Sequence, residues 1–177
     1  MRLPIFFLLG LTGSLAFGWF AFPKLSYRAE PQPLRFSHRT HTGEKGGMKC
    51  DDCHSLRADG SFSGIPAIDK CAGCHAAQLG SSGDEKLLVE NYVGPNREIP
   101  WRVYSRQPDN AYFSHAYHVK TAKLSCEQCH KDHGKSDSLA ACRQDRVSGY
   151  GPAMEMSECE RCHKGRNVQA GCLDCHK

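Results

Sequence analysis

A five-residue pattern, Cys-x-x-Cys-His, occurs five times in this 177-residue chain and constrains its fold more than any other feature. Ten of the eleven cysteines and five of the ten histidines belong to it. At this spacing two thiols can bond to the two vinyl groups of one porphyrin, while the histidine that follows binds its iron. The pattern therefore predicts five sites of covalently attached haem c. The motifs are Cys50, Cys53 and His54; Cys71, Cys74 and His75; Cys126, Cys129 and His130; Cys159, Cys162 and His163; and Cys172, Cys175 and His176.

Zinc sites and disulfides are the alternative explanations for so many cysteines. Zinc knuckles combine CxxC units in pairs, whereas five units cannot be paired, and zinc does not require a histidine after each unit. A disulfide framework does not fit either, because ten cysteines fall in CxxC pairs. The chain beyond its N-terminus is polar and rich in glycine and proline, with few apolar runs. Porphyrins, rather than aliphatic side chains, are therefore expected to fill its interior.

The histidines outside the motifs match the number of distal haem ligands that five irons need. Two pairs of them stand in the same phrase, FSHRTH and FSHAYH. This match favours bis-histidine, six-coordinate, low-spin iron at all five sites. Methionine is the competing axial ligand, but the histidines suffice, so the candidate methionines are interpreted as packing residues. The five distal candidates are His38, His41, His115, His118 and His133, and the competing methionines are Met48, Met154 and Met156.

The two FSHxxH phrases divide the chain into two haem modules. In each, the first CxxCH begins eight or nine positions after the last histidine of the phrase, which is the sign of an internal repeat. We expect an anchor over 1–23, a first module with two haems and a connector over 24–110, and a second module with three or four haems over 111–177. Residues 26–33 are predicted to be a linker. Residues 80–107, which contain no Cys or His, are predicted to be a long surface connector.

The N-terminus carries twenty residues, Leu3 to Phe22, without a charge. As a helix this stretch would be about 30 Å long, enough to cross a bilayer. A cleaved signal peptide is the alternative, but the run is longer than a usual signal core and no A-x-A-like cleavage site follows. The sequence thus predicts an uncleaved anchor in the inner membrane. Because covalent haem attachment of this kind belongs to an oxidising compartment, the haem domain is expected in the periplasm.

One cysteine, Cys142, lies outside the motifs. Aligning residues 139–143, LAACR, with CxxCH puts Cys142 on the second cysteine, Leu139 on the first and Arg143 on the histidine. Cys142 follows Cys129 by 13 residues, the same separation as that from Cys162 to Cys175 in the last two motifs. We therefore hypothesise a sixth haem, held by one thioether. The alternatives are a buried thiol, or a thiolate that replaces a histidine as an axial ligand.

The FSHxxH and CxxCH phrases resemble class III multihaem cytochromes c. The fold class expected from this is mostly irregular with short α-helices, built around stacked haems, plus one N-terminal transmembrane helix. The longer stretches IPWRVYSRQPDNAYFSHAYHV, LSCEQCHKDH and MEMSECERCH resemble the membrane-anchored multihaem subunits of bacterial respiratory complexes. The complexes whose subunits the chain resembles most are the menaquinone reductase complex (Qrc) of sulfate reducers and the related alternative complex III. The small size of the chain favours the first.

This resemblance implies an electron-transfer subunit rather than an enzyme that is catalytic by itself. Its implied donor is a soluble periplasmic tetrahaem cytochrome. Its implied acceptors are iron-sulfur and molybdopterin-fold subunits and an integral membrane subunit that binds menaquinone. The formal charge of +4 would become about −6 with the propionates of five haems, which suits a lysine-rich donor. The alternatives are a quinol dehydrogenase of the NapC/NrfH type and a multihaem reductase with an open iron.

Overall fold

The computed structural model describes residues 3–62, 64–102, 110–145 and 155–176. Within them the chain forms short helices and one pair of strands joined by irregular segments, as the sequence predicts. The α-helices are α1 (Leu3–Ala16), α2 (Phe22–Ser26), α3 (His38–Thr42), α4 (Cys50–Cys53), α5 (Ile68–Ala72), α6 (Gly83–Leu88), α7 (Glu127–His130), α8 (Met156–Gly165) and α9 (Cys172–Cys175). Phe17–Ala21, Val89–Val93 and Tyr117–Thr121 are π-helical, and Lys131–Lys135 is a 3₁₀ helix. The strands are β1 (Tyr27–Glu30) and β2 (Cys142–Asp145).

The apolar N-terminal segment is helical, as predicted. Helix α1 continues through the π-helical turn Phe17–Ala21 into α2 without a break. The stretch Pro4–Ser26 has 23 residues, and its most apolar 18-residue window has a mean hydropathy of 1.9. None of that window is buried against the rest of the protein. A helix that exposes so many apolar side chains to water would be unfavourable, so its length and composition fit a membrane span.

The strand β1 follows this helix directly and pairs antiparallel with β2, with Tyr27 opposite Asp145 and Glu30 opposite Cys142. Gln32, just beyond β1, donates from Nε2 to the carbonyl of Arg102 at 3.0 Å and accepts from its N–H at 3.0 Å. The predicted linker over 26–33 is therefore wrong at β1, because this segment is hydrogen-bonded to two distant parts of the chain. This sheet joins the N-terminal helix to the part of the chain that carries the CxxCH motifs.

The buried apolar cluster of the described residues is small and consists of Leu34, Ile68, Tyr92 and Ile99. Two of its members come from the segment that the sequence predicts to be a surface connector. That prediction is wrong there, because α6 and the turn Val89–Val93 form one helical stretch that packs Tyr92 against Ile68 of α5. The cluster thus fixes α5, which carries the second CxxCH motif.

The two modules contact each other where α3 meets the 3₁₀ helix Lys131–Lys135. The Arg39 N–H donates to the carbonyl of Ser136 at 3.1 Å, and its guanidinium reaches the carbonyl of Lys135 at 3.0 Å. The Thr42 hydroxyl donates to the carbonyl of Gly134 at 2.7 Å. Because these bonds join backbone to backbone or side chain to backbone, they hold the histidines of α3 at a set position beside the second module.

Candidate haem-binding site

Each CxxCH motif is built on one helical turn. In four motifs the N–H of the histidine donates to the carbonyl of the first cysteine at 2.8 Å, and the remaining one, the fourth motif along the chain, lies inside α8. This turn brings both cysteines and the histidine together, as attachment to a single porphyrin requires. The variable residues contribute locally: Asp52 accepts from the Lys49 N–H, and Asp174 from the Gly171 N–H, both at 2.7 Å. These carboxylates cap the first and last motif helices.

Four of the motif histidines face a histidine from outside the motifs. The ring centroids in these pairs are separated by 6.2 to 6.4 Å, and the angles between ring planes run from 3° to 56°. Each pair joins one member of an FSHxxH phrase to one CxxCH. The pairs are His38 with His54, His41 with His75, His115 with His130, and His118 with His163.

This spacing fits one iron between each pair of rings. An imidazole nitrogen lies about 2 Å from a first-row metal that it binds, so two rings on opposite sides of one metal have centres about 6 Å apart. Among the residues described, no group of three or more Cys, His, Asp and Glu side chains converges as a metal-ion site would require. All eleven cysteines are described and none forms a disulfide. The spacing of the four ring pairs is therefore the one that bis-histidine ligation of haem iron requires.

Hydrogen bonds at Nδ1 leave the other ring nitrogen free for iron. The Nδ1 of His41 lies 2.8 Å from the carbonyl of Ser37, and that of His118 lies 2.8 Å from the carbonyl of Ser114. His54 makes the same contact with Gly64 at 3.2 Å. A carbonyl can only accept, so Nδ1 carries the proton and Nε2 has the lone pair that a metal needs.

The phenylalanine and serine of the FSHxxH phrase have structural roles that explain the repeat. Phe36 stacks on His41 with centroids 4.4 Å apart and meets His38 edge-on at 5.0 Å. Phe113 repeats both contacts, stacking on His118 at 4.6 Å and meeting His115 edge-on at 4.8 Å. The phenylalanine thus orients both histidines of its phrase. The carbonyl of the serine accepts a hydrogen bond from Nδ1 of the second histidine.

Burial keeps several of these imidazoles neutral. It lowers the pKa of His38 to about 4, with smaller contributions from neighbouring histidines. Burial is also the largest cause that lowers the pKa of His115 and of His133. Since only a neutral imidazole binds a metal, these rings are in the binding form at neutral pH.

Glu85 is a functional candidate that the sequence did not reveal. Its Oε1 lies 2.9 Å from Nδ1 of His75, so this motif histidine has a carboxylate partner. Backbone N–H groups of Leu79 and then Gly80 hold the pKa of Glu85 below its usual range, and His75 adds to this. Glu85 lies in the segment without Cys or His, where no sequence pattern distinguishes it from any other surface acid.

Neighbouring motifs can be ordered by the contacts of their side chains. Burial is the main cause that raises the pKa of the Cys50 thiol, and the nearby thiol of Cys126 adds to it. Phe62 stacks on His115 at 4.6 Å and lies 6.1 Å from His54. Both observations place the first motif beside the third.

The remaining neighbours follow mainly from the two FSHxxH phrases. The rings of one phrase lie opposite the first and second motifs, and those of the other lie opposite the third and fourth. The fifth motif lies near the fourth, because Cys175 contributes, after burial and Cys129, to raising the pKa of Cys159. The order in space is therefore second, first, third, fourth and fifth.

The structure does not bring all predicted ligands together. The ring of His133 lies 4.6 Å from that of His38 and tilted by 54°, and it does not face His176. Nδ1 of His176 lies 3.3 Å from the carbonyl of Asn110. Of the competing methionines, Met156 is exposed and Met154 falls outside the described residues.

Cys142 differs from the cysteines of the motifs. It is 1% exposed and lies in β2, whereas the other ten are partly buried or exposed and lie in helical turns. The hypothesis of a haem attached through Cys142 stays a prediction.

Comparison with known proteins gives the class and then the family. No family model matches the chain. A curated relative from Nitratidesulfovibrio vulgaris (strain Hildenborough), "Menaquinone reductase, multiheme cytochrome c subunit", is 41% identical over 187 residues. The match covers 97% of this chain and 89% of the relative. Together with the five motifs, it defines the chain as a multihaem c-type cytochrome. The chain belongs to the family of multihaem cytochrome c subunits of menaquinone reductase.

Proposed function

We propose that this chain carries electrons from a soluble periplasmic tetrahaem cytochrome into a membrane complex that reduces menaquinone. The observation that carries the proposal is the set of four imidazole pairs, each at the spacing for one iron and each including one CxxCH histidine. Family membership supports the same role, since the relative's name is that of a subunit of a menaquinone reductase. Haem iron supplies the one-electron carrier, and the chain supplies ligation, spacing and exclusion of water.

The proposed ligands follow the geometry. Cys50 and Cys53, Cys71 and Cys74, Cys126 and Cys129, and Cys159 and Cys162 attach four haems. The four facing pairs supply their axial ligands, with the motif histidine proximal and the FSHxxH histidine distal. Cys172, Cys175 and His176 attach the fifth. His133, which the sequence also predicts as a distal ligand, lies beside His38, so we do not assign it to the fifth iron.

The proposed route follows the order of the motifs in space. Phe62, in contact with His115 and near His54, links the two modules between the first and third motifs. The module contact through Arg39 supports the same junction. Electrons would then cross from one module to the other there, with the second and fifth motifs at the two ends.

The proposed location is the periplasmic face of the inner membrane, with the helix Pro4–Ser26 as anchor. Its length and composition, and the β1–β2 sheet that ties it to the haem domain, support this position. The partners would be iron-sulfur and molybdopterin-fold subunits and an integral membrane quinone-binding subunit. The −6 charge expected with five haems suits a basic donor.

Counting covalent haems decides the role of Cys142. Intact-mass measurement of the wild type and of Cys142→Ala gives two distinct results. Five haems in both excludes a haem attached through Cys142 and leaves the buried thiol beside β1 and the axial thiolate as its possible roles. One haem fewer in the variant establishes a sixth haem attached through this thiol.

Membrane extraction with a mild detergent, followed by identification of copurifying subunits, tests the function. We expect iron-sulfur, molybdopterin-fold and integral membrane subunits to copurify, and a reduced tetrahaem cytochrome to reduce the complex. A chain that purifies alone, or that accepts no electrons from such a donor, contradicts the proposal. A colourless chain with zinc or disulfides at its CxxC pairs would contradict the haem sites themselves.

A further inference from the structure

Within the described residues, the hydrogen-bond partner of His75 differs in kind from those of the other histidines. Six histidines have Nδ1 within hydrogen-bonding distance of an oxygen in this part of the chain. In four of them this oxygen is a backbone carbonyl, and in His38 it is the hydroxyl of Ser136. In His75 it is the carboxylate of Glu85, at 2.9 Å. One of the predicted haem ligands thus has an anionic partner.

Glu85 is held in place by bonds that do not depend on His75. Its Oε1 also accepts from the Leu79 N–H at 2.8 Å, and its Oε2 accepts from the Gly80 N–H at 2.8 Å. A Cβ at position 80 would lie 3.1 Å from Oε2, so glycine allows this close approach. The Glu85 side chain is 12% exposed. The carboxylate is therefore fixed in direction and largely shielded from solvent, where charge acts more strongly than at an open surface.

An imidazole ligand donates more electron density to a metal when its Nδ1 is hydrogen-bonded to a carboxylate than when it is hydrogen-bonded to a backbone carbonyl. The hydrogen bond draws the Nδ1 proton toward the carboxylate and raises the basicity of Nε2. The negative charge also favours the more positive, oxidised iron. Hydrogen bonding around the axial ligands is one of the means by which a protein sets a haem's reduction potential. Both effects act in the same direction and lower the potential.

We propose that Glu85 is a positioning residue that, through Nδ1 of His75, lowers the reduction potential of the haem on the second motif. This inference rests on the proposed function, because it needs a haem on Cys71 and Cys74 with His41 and His75 as ligands. The second motif stands at one end of the spatial order. Glu85 therefore makes this terminal haem easier to oxidise than its two histidine ligands alone would make it.

The matched control is Glu98, another carboxylate of the same module. It accepts from the N–H of Ile68 at 3.1 and 3.3 Å, at the start of the helix that carries Cys71. Its charge is close enough to contribute to raising the pKa of Cys71, yet within the described part of the chain its carboxylate hydrogen-bonds to the Ile68 backbone N–H and not to a histidine. Glu98→Gln removes the same charge near the same attachment site without changing the ligand.

The experiment is a spectroelectrochemical titration of the full-length, detergent-solubilised protein as wild type, Glu85→Gln and Glu98→Gln. In Glu85→Gln, the oxidised-to-reduced ratio of one haem should fall about tenfold at a given potential, a rise in midpoint of about 59 mV. Electron paramagnetic resonance of the oxidised protein should show one low-spin signal altered in this variant. Glu98→Gln should shift the midpoint by less than about a third as much. No shift in Glu85→Gln, or an equal shift in both variants, overturns the inference.

Haem counting by intact mass separates this inference from the proposal on which it rests. A wild type without haem on the second motif contradicts both. A full haem complement with unchanged potentials in Glu85→Gln contradicts only the role of Glu85. Should Glu85→Gln fail to mature, Glu85→Asp, which keeps the charge on a shorter side chain, is titrated instead. A midpoint raised by less than about 59 mV supports the inference, and an unchanged midpoint opposes it.

Discussion

The rings of His118 and His163 face each other with centroids 6.2 Å apart, although one belongs to an FSHxxH phrase and the other to the fourth CxxCH. The neighbouring histidine of the same phrase, His115, faces His130 of the third motif. A single phrase thus places one imidazole ring opposite each of two successive motifs. The first module repeats the arrangement with His38 and His41, which face His54 and His75.

Replacing His118 should open one iron. In His118→Ala the fourth motif keeps its thioethers and His163 but loses the ring opposite, so one haem should become high-spin and bind carbon monoxide when reduced. Electron paramagnetic resonance and carbon monoxide titration measure this against the wild type. Lys120→Ala, an exposed position in the same π-helical turn, should leave spin state and binding unchanged. An unaltered count of low-spin haems in His118→Ala would refute the pairing.

The small apolar cluster should carry much of the stability of the first module. Ile68 is 4% exposed and packs with Tyr92 and Ile99, so Ile68→Ala should lower the free energy of unfolding by about 2 to 5 kcal/mol. The control is Ile65→Ala at a position 49% exposed, which should change stability by less than about 0.5 kcal/mol. Chemical denaturation followed by circular dichroism gives both values. Equal losses in the two variants would mean that this cluster is not the core.

Phe62 should stabilise the junction between the modules. Because its ring stacks on His115 at 4.6 Å, Phe62→Ala should lose about 1 kcal/mol of aromatic contact in addition to its apolar burial. Phe62→Tyr keeps the ring and should retain wild-type stability. Urea denaturation of the two variants, with equal haem content verified by mass, measures the difference. Identical stability of alanine and tyrosine variants would show that the stacking contributes nothing.

The N-terminal helix and β1 should have separable roles. A variant that begins after Ser26 and is exported by a cleavable signal peptide should carry all its haems and appear in the soluble periplasmic fraction. A variant that also lacks β1 should expose Cys142, because Glu30 lies opposite it in the sheet. Alkylation by a thiol reagent, followed by peptide mass analysis, compares the two. Membrane retention of the first variant, produced without its partner subunits, would contradict the anchor. Equal alkylation of both would contradict the shielding by β1.

The sequence by itself determined the chemistry of this protein, because the CxxCH motif is local. Two thiols and an imidazole within one helical turn suffice to attach a haem wherever the motif lies, and the count of remaining histidines predicted their role as second ligands. The apolar N-terminal stretch was equally readable, since its length alone decides whether it can span a bilayer. The short motif helices and the scarcity of sheet were also predictable, because they too follow from local sequence.

Tertiary structure alone decided which histidine faces which motif, the order of the motifs in space and the carboxylate beside His75. These relationships join residues far apart in the chain, so no local spacing encodes them. The sequence erred where a polar, glycine-rich composition concealed helical packing, as in the stretch that buries Tyr92 and orients Glu85. It also erred at β1, because pairing with β2 depends on a partner more than a hundred residues away. Residues adjacent in the chain determine the chemistry of each motif. Contacts between distant segments determine the surroundings of that motif, and these form only when the chain folds.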